Sequence, residues 1–348
     1  MKDIIPEFFK GFKCIASACP DNCCIGWEID IDEDTMEKYS ALKTPLGDKL
    51  SVSIERCQPP HFILGKNDRC PFLNKDNLCD IIIELGEENI PFICQNHPRF
   101  YTYFEDRREV GMGLCCQAAA ELVFSHKAPL NMSIPYPDTD SIDDILCYAR
   151  DRAFYILQRR EYDIFTRLSV FIDYCRDLDD NLFFDDGEMI KKTADAYAEF
   201  VPAEGEKSLD ILEICTFFKD LEPIDENWQK LSREIAENHE KIAEYLPQFV
   251  AENQENLYKY EHIAVYLTYR HFMSCREDYT LGAIGDFVAI GVVYCLICDA
   301  YKSLFCGDFS TEDTARLYSK EVEYSQENTD RVMDFEAENL IEILHFLR

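Results

Sequence analysis

Cysteine is the residue type in this chain whose number and spacing point to chemistry. Ten of the 17 cysteines lie in the first 116 residues. Thiolates bind soft or borderline metal ions, so such crowding predicts a zinc or an iron–sulfur centre. One cysteine alone would be interpreted as a small buried hydrophobe, but four within eleven residues favour metal binding. The cysteines concerned are Cys14, Cys19, Cys23, Cys24, Cys57, Cys70, Cys79, Cys94, Cys115 and Cys116.

The spacing favours iron–sulfur over zinc, and zinc stays the alternative. Zinc ribbons place paired ligands two to four residues apart. Cys70 and Cys79 are too far apart for one such pair, and the two vicinal cysteine pairs are also unlike a ribbon. The CxxxCxxC pattern of radical S-adenosylmethionine enzymes begins at Cys19 and Cys23, but Gly26 stands at its third position. That pattern is not met.

Other patterns name no catalytic base and no cofactor pocket. There is no Walker loop, Rossmann glycine fingerprint, HExxH or GxSxG. Nucleophilic catalysis by Cys94 stays open, although ligation is favoured. His97 is interpreted as a turn residue, and Trp27 as either a cover for the metal site or a core residue. The polar aromatic stretch from Tyr266 to His271 is interpreted as helix packing.

The cysteines lie in a stretch where little regular structure is predicted, because short segments alternate with proline and glycine. A loop-rich segment with a small core needs a staple, and bound metal supplies one in a reducing compartment. Three prolines between Ala128 and Pro137 mark a boundary that no helix can cross. The sequence therefore predicts a cysteine-rich metal-binding domain over 1–130 and a helical domain over 131–348.

Helical periodicity dominates the second part. Ser141 is a predicted helix cap with Asp144 three residues on, and Ser310 with Asp313 is another. Apolar residues recur at helical spacing after the first cap, and an apolar stripe closes the chain at Leu340, Ile343, Leu344 and Leu347. The predicted fold class is mainly α, with a loop-rich cysteine-rich N-terminal domain followed by an all-α domain.

The overall charge limits the partners. The formal net charge is −32, from 67 acidic and 35 basic side chains, and such a field repels nucleic acid and anionic lipid. It would attract a lysine-bearing substrate, or it is simply a solvated surface. We see no targeting segment, and the apolar run from Phe287 to Cys298 is shorter than the roughly 20 residues of a membrane span. We expect a cytoplasmic protein with reduced thiols and a buried helix at this run.

The sequence resembles the flagellin lysine-N-methylase family, which is related to the CxxCxxCC zinc- or iron-chelating domains. Specific motifs match in the first 120 residues, and shorter pieces match in the helical part. The matching pieces are Phe12-Lys13-Cys14, Cys19, Cys23-Cys24, Gly26-Trp27, Cys70-Pro71-Phe72-Leu73, Leu78-Cys79, Cys94, Pro98-Arg99, Cys116-Gln117-Ala118-Ala119, Leu157-Gln158-Arg159-Arg160, Arg167-Leu168 and Tyr318 to Ser325.

The resemblance implies methyl transfer from S-adenosylmethionine to lysine ε-amines of flagellin, with a cubane [4Fe-4S] cluster. Carried over by position, it implies eight metal-binding cysteines, namely Cys14, Cys19, Cys23, Cys24, Cys70, Cys79, Cys94 and Cys116. Cys57 and Cys115 fall outside that pattern.

The chain departs from the family at two places, and these departures bear on the substrate more than on the metal. His97 stands where the family has tyrosine, and Gln117-Ala118 replaces proline–glutamate. The alternative function is a non-enzymatic iron–sulfur or zinc module with a helical protein-interaction domain.

Overall fold

The structure is a computed structural model that describes residues 2–137, 139–184 and 186–348. Helices account for 61% of the chain and strands for 7%, so the predicted mainly-α class is confirmed. The division at residue 130 stays a prediction, and Met1, where its first part begins, lies outside the described residues.

Regular elements in the cysteine-rich part are short. Its strands are β1 (Lys2–Ile4), β2 (Ile54–Glu55), β3 (His61–Phe62), β4 (Arg99–Tyr103) and β5 (Arg107–Met112). Its helices are α1 (Glu33–Ala41), α2 (Pro45–Ser53), α3 (Asp80–Leu85), α4 (Phe92–Asn96) and α5 (Gln117–Phe124), and 3₁₀ turns lie at Glu7–Gly11 and Ala16–Ala18.

These strands form two small sheets that the sequence did not predict. One has the order β1-β5-β4, with β5 antiparallel to β4 and parallel to β1, and the other is the β2–β3 hairpin. The signal was weak because β4 does not alternate between buried and exposed residues and β5 begins with two arginines.

Eleven further α-helices follow in the described residues beyond 140. They are α6 (Ile142–Leu157), α7 (Ile164–Phe183), α8 (Gly187–Ala196), α9 (Leu212–Lys219), α10 (Glu226–Glu237), α11 (His239–Glu252), α12 (Tyr258–His271), α13 (Leu281–Cys306), α14 (Thr311–Tyr318), α15 (Gln326–Met333) and α16 (Leu340–Leu347). Both predicted caps are confirmed. The Ser141 hydroxyl accepts from the Asp144 N–H at 3.3 Å, and Ser310 accepts from Asp313 at 3.2 Å.

Helix α13 is the centre of the core. It packs against α7, α12, α11 and α14, and Gly285 lets α7 approach so closely that an added Cβ would lie 2.9 Å from Cys175 Cβ. By length and composition α13 is apolar enough to cross a membrane, but 89% of its most apolar window is buried inside the protein. Cys295 and Cys298 are both fully buried, as predicted for core packing.

The buried apolar residues form two clusters. A small one draws on residues 29–90 of the cysteine-rich part, including Leu50 and Phe72. The other is built around the helices and takes in Met112 of β5 and Val123 of α5. The segment that carries Cys115 and Cys116 therefore packs on the helical core, while the segments between the two cysteine groups have a core of their own.

Buried ion pairs fix β5 on α6. Arg150 Nη1 lies 2.8 Å from Glu109 Oε2 with both side chains almost wholly buried, and Arg107 Nη2 lies 3.0 Å from Asp144 Oδ1. Losing one partner of such a pair strands a buried charge, so these contacts hold the strand in a single position. That position sets where the chain emerges toward Cys116.

Asp32 links the start of α1 to the helix that carries Cys94. Its carboxylate caps α1 by accepting from the Thr35 N–H at 3.0 Å, and it also accepts from the Phe92 N–H at 2.8 Å. Burial acts to raise the pKa of Asp32, but the hydrogen bonds from Phe92 and Thr35 prevail and the pKa lies below its ordinary value.

We expect Asp32→Ala to lower the free energy of unfolding by about 2 kcal/mol, because a helix cap is lost and the Phe92 N–H loses its acceptor. Denaturant titration measures the loss. Because the folded-state pKa is depressed, the contribution is present above about pH 4 and disappears as the pH falls through the folded-state pKa. Asp34→Ala, at an exposed first-turn position, is the control and should cost at most about 0.5 kcal/mol. Equal losses in both variants would contradict the bridging role.

Candidate metal centre

Local hydrogen bonds shape the first cysteine group. The Cys14 sulfur accepts from the Ala16 N–H at 3.4 Å, and the Cys19 thiol donates to the Asp21 carbonyl at 3.1 Å. The Asn22 side chain accepts from the Cys24 N–H at 2.9 Å. This segment is therefore a series of tight turns, and such turns bring cysteines at neighbouring positions to one side of the chain.

The second cysteine group is attached to the first through the backbone. The Cys70 N–H donates to the Cys24 carbonyl at 2.8 Å, and Ile25 forms a bridge with Arg69. A further bridge joins Leu73 to Cys79. Cys79 then stands at the N-cap of α3, and Cys94 lies within α4. The two groups, nearly fifty residues apart in sequence, thus become neighbours.

The last of the eight cysteines, Cys116, follows a residue that is held by the C-terminal part of the chain. The Cys115 N–H donates to the Ser319 hydroxyl at 3.1 Å, and Arg316 donates to the Cys115 carbonyl at 3.2 Å. Arg316 also pairs with Asp21 at 2.9 Å, so the same guanidinium contacts the first cysteine group.

The eight cysteines that the resemblance implies form one electrostatically connected set. Their charges act on one another along the pairs Cys14–Cys19, Cys19–Cys23, Cys23–Cys24, Cys24–Cys70, Cys24–Cys94, Cys70–Cys79, Cys79–Cys23, Cys94–Cys23 and Cys116–Cys23. Cys23 recurs in more of these pairs than any other member. Whether these residues bind metal stays a prediction.

The thiols resist ionisation in the absence of added positive charge. Burial and, to a smaller extent, neighbouring cysteines raise the pKa of Cys94 and that of Cys70, the latter to about 11. Within the vicinal pair, the hydrogen bond between the two thiols lowers the pKa of Cys23 and raises that of Cys24. Ionisation of Cys24, Cys70 and Cys94 is therefore disfavoured, and a bound cation would offset this.

In the part of the chain that the structure describes, no three of the eight sulfur atoms are as close together as the ligands of one zinc ion. Four thiolates around zinc at about 2.3 Å lie about 3.8 Å apart. In the described residues, the only group of three or more potential metal-binding atoms within 4.8 Å of one another is Glu28, Asp30 and His61, and it contains none of the eight sulfurs. In an iron–sulfur cluster each thiolate binds a different iron, which suits wider spacing.

An aromatic wall stands beside the cysteines. Trp27, His97 and Tyr324 pack against one another with ring centroids 5.5–6.3 Å apart. Lys320 Nζ lies 5.6 Å from the Trp27 ring and the Arg270 guanidinium 5.0 Å from the Tyr324 ring, both within cation–π range. Trp27 thus covers the junction between the cysteine segments and the helices.

Next to the aromatic wall, the Glu323 carboxylate contacts three side chains of α12. Its fully buried carboxylate lies 3.2 Å from Arg270 Nε and 2.9 Å from His271 Nε2, and it accepts from the Tyr266 hydroxyl at 3.0 Å. The Tyr266 hydroxyl in turn accepts from the Leu114 N–H at 3.2 Å. The aromatic stretch in α12 is therefore packed as predicted, and it also orients the residues that lead into Cys116.

Glu323 closes a π-helical turn, Ser319–Glu323, in which every residue is buried. Such turns are rare and concentrate at functional sites. The following residue, Tyr324, lies so close to Gly113 that an added Cβ there would be 2.1 Å from its hydroxyl. Only glycine fits at this contact.

Sequence reasoning missed Ser319, Glu323 and Arg316 as supports of the cysteine region. The signal available was the stretch Tyr318 to Ser325, which matched the family, but nothing in it revealed a partner some 200 residues earlier. Of the five cysteines that stand singly beyond residue 140, three are buried, Cys275 is half-buried and Cys306 is exposed. The buried ones are Cys147, Cys175 and Cys215.

Comparisons with known proteins point to one family. A family model described as the FliB lysine N-methylase C-terminal domain matches residues 150–347, more than half of the chain. Lysine-N-methylases of Salmonella typhimurium and Salmonella choleraesuis are each 27% identical over 150 residues, covering 38% of this chain and 36% of theirs. The flagellar biosynthetic protein FliU of Salmonella muenchen is 29% identical over 133 residues, covering 33% of this chain and 75% of that protein.

The match spans only about a third of the length of the two methylases. No solved structure matches the chain.

Breaking the Glu323 network should be costly. Burial disfavours the Glu323 carboxylate, but Arg270 and His271 prevail and hold its pKa below the ordinary value. We expect Glu323→Gln to lower the free energy of unfolding by about 3–5 kcal/mol, because Arg270 is left buried without its counter-charge. The loss should be full above the ordinary carboxyl pKa and shrink as the pH falls through the folded-state pKa.

Thermal and denaturant unfolding measure this effect. Glu327→Gln, an exposed residue four positions on, is the matched control and should change stability by less than about 0.5 kcal/mol. If Glu323→Gln were as mild as this control, the network would not be what joins the helices to the cysteine segment.

Proposed function

This chain belongs to the family of the FliB lysine N-methylase C-terminal domain, and from that premise we propose that it is a protein-lysine N-methyltransferase. The methyl donor is S-adenosylmethionine, the protein carries a [4Fe-4S] cluster, and the acceptor is an exposed lysine of a flagellin-type protein. The observation that carries the proposal is the contact between the family-matched helices and the cysteines. Glu323 accepts a hydrogen bond from the Tyr266 hydroxyl, which in turn accepts one from the Leu114 N–H. Ser319 accepts a hydrogen bond directly from the Cys115 N–H.

The donor set fits an iron–sulfur cluster. Eight soft thiols are linked electrostatically, no three of their sulfurs lie within 4.8 Å of one another in the described residues, and burial raises the pKa of Cys70 and Cys94. Four of the eight would hold one cubane: Cys14, Cys19, Cys23, Cys24, Cys70, Cys79, Cys94 or Cys116. When bound, the cluster would hold together the loops that carry its cysteine ligands.

The aromatic wall suits cationic reactants. The S-adenosylmethionine sulfonium and a lysine ammonium both carry positive charge, and ring faces attract such groups. Lys320, already over the Trp27 ring, demonstrates the preference. Burial lowers the pKa of His97 to about 4, so at neutral pH its imidazole is uncharged and does not repel them.

The lysine must lose its proton before its nitrogen can attack the methyl group. A lysine placed against the rings of Trp27, His97 and Tyr324 would be partly desolvated, which lowers its pKa and favours the neutral amine.

A reducing compartment suits this chemistry. All 17 cysteines are free thiols in the structure, and the apolar helix α13 is a buried core element. Both features support a cytoplasmic location, where thiols stay reduced.

The direct test is methyl transfer by the anaerobically isolated protein. We expect S-adenosylmethionine with a deuterated methyl group to label flagellin lysines, and Cys94→Ser to reduce labelling at least tenfold along with the visible absorption of the cluster. The matched control is Cys306→Ser, at an exposed cysteine outside the set, which should behave as wild type. Intact-mass spectrometry reads the labelling, and circular dichroism confirms that both variants fold.

Two results would redirect the proposal. A cluster-bearing protein that neither binds S-adenosylmethionine in calorimetry nor labels flagellin would support the non-enzymatic module instead. Equal activity of Cys94→Ser and Cys306→Ser would remove the cysteines from the reaction.

The acidic surface should steer a basic substrate. With a net charge of −32, the KM for a lysine-rich acceptor should rise about tenfold between about 0.01 M and 1 M salt, where the screening length falls from about 30 Å to about 3 Å. Steady-state kinetics at several salt concentrations measure this. An acceptor whose lysine is surrounded by acidic residues is the control and should show no such rise. A KM that does not respond to salt with the basic acceptor would rule out steering.

A further inference from the structure

Three potential metal ligands outside the eight cysteines converge at the β2–β3 hairpin. One ligand atom from each of Glu28, Asp30 and His61 lies within 4.8 Å of the other two. Asp30 and Glu28 are exposed and His61 is half-buried, so an ion can reach them from solvent. Neither the cysteine pattern nor the proposed methyl transfer uses these residues.

The backbone builds this arrangement. His61 pairs with Glu55 across the hairpin, and on its other side it forms a bridge with Asp30. The Phe62 N–H donates to the Ile29 carbonyl at 3.1 Å. Because side chains of directly paired residues point to the same face of a sheet, the backbone fixes Glu55, His61 and Asp30 side by side.

The contacts around the imidazole have the spacing of metal ligands. His61 Nδ1 lies 3.2 Å from Glu28 Oε1 and 3.3 Å from Cys57 Sγ, and His61 Nε2 lies 3.4 Å from Glu55 Oε2. Nitrogen and oxygen ligands about 2.1 Å from a tetrahedral ion are about 3.4 Å apart. The pairs at Nδ1 therefore match the edges of one coordination sphere.

We propose that Glu28, Asp30 and His61 bind a divalent transition-metal ion, with zinc as the best fit. Imidazole and carboxylate together suit zinc, and a thiolate is a further ligand that zinc favours. Cys57, which lies outside the family cysteine pattern, supplies that thiol at 3.3 Å from the imidazole.

The ion would act as a clamp between the two cysteine groups. Glu28 and Asp30 follow Cys24 in the chain, and His61 precedes Cys70. Those two cysteines already touch through a backbone hydrogen bond of 2.8 Å. Holding the two segments together at a second point fixes their relative position, as metals do in domains with small cores. The proposal does not depend on methyl transfer.

The test is zinc binding by the full-length protein under anaerobic conditions. After equilibrium dialysis against zinc, metal analysis should find one equivalent more in wild type than in His61→Ala. The eight thiols are present in both proteins, so zinc bound there cancels in the comparison. Zinc should also raise the melting temperature of wild type more than that of His61→Ala.

Two further variants sharpen the test. Glu28→Gln, at an exposed position, should lower the affinity for this zinc ion at least tenfold. This variant provides the test if His61→Ala fails to fold. His239→Ala, at a histidine whose imidazole is hydrogen-bonded to the Ala236 carbonyl and lies outside the proposed site, is the matched control and should bind as wild type. Equal zinc content in wild type, Glu28→Gln and His61→Ala would overturn the proposal and leave His61 as an ion-pair partner of its carboxylates.

Discussion

Crowded thiols can ionise together only when positive charge is shared among them, and this constraint governs the cysteine-rich half of the molecule. The hydrogen bond with Cys23 raises the pKa of Cys24, and burial raises the pKa of Cys70 and Cys94, so ionisation of these thiols is disfavoured in isolation. A bound cation reverses that balance and releases protons as it binds. The short helices and turns around the cysteines have a small core of their own, and the proposed cluster would add to their order.

The helical half contributes orientation rather than ligands. The buried Glu323 carboxylate contacts Arg270, His271 and Tyr266. The Tyr266 hydroxyl in turn accepts a hydrogen bond from the Leu114 N–H. Ser319 and Arg316 act on Cys115 in the same way. The family match therefore covers helices that contact the cysteine region at Leu114 and Cys115.

Much of this arrangement could be predicted from local sequence signals. Ser141 and Ser310 predicted two helix starts, and the apolar run around Cys295 predicted a buried helix. The crowding of the cysteines predicted a metal centre, which stays a prediction. Each signal lies within a few residues of what it predicts. The resemblance to the family also rested on short motifs, and the family match over the helices agrees with it.

The parts that could not be predicted depend on contacts between distant residues. Nothing in the sequence near Glu323 indicates that it is linked through Tyr266 to Leu114, about 200 residues away. The grouping of Asp30 with His61 likewise depends on strand pairing, and these strands are too short to leave a period-two pattern. A buried polar side chain can be recognised only when the distant residue that it pairs with is also known.

The claim that most needs measurement is that the cysteines hold iron and sulfide. Iron and acid-labile sulfide should be quantified in the anaerobically isolated protein, with Mössbauer spectroscopy on the same sample. The account predicts iron and sulfide in equal amounts, with every iron in a sulfur environment. A folded protein that contains zinc in place of iron, or no metal at the cysteines, would contradict it.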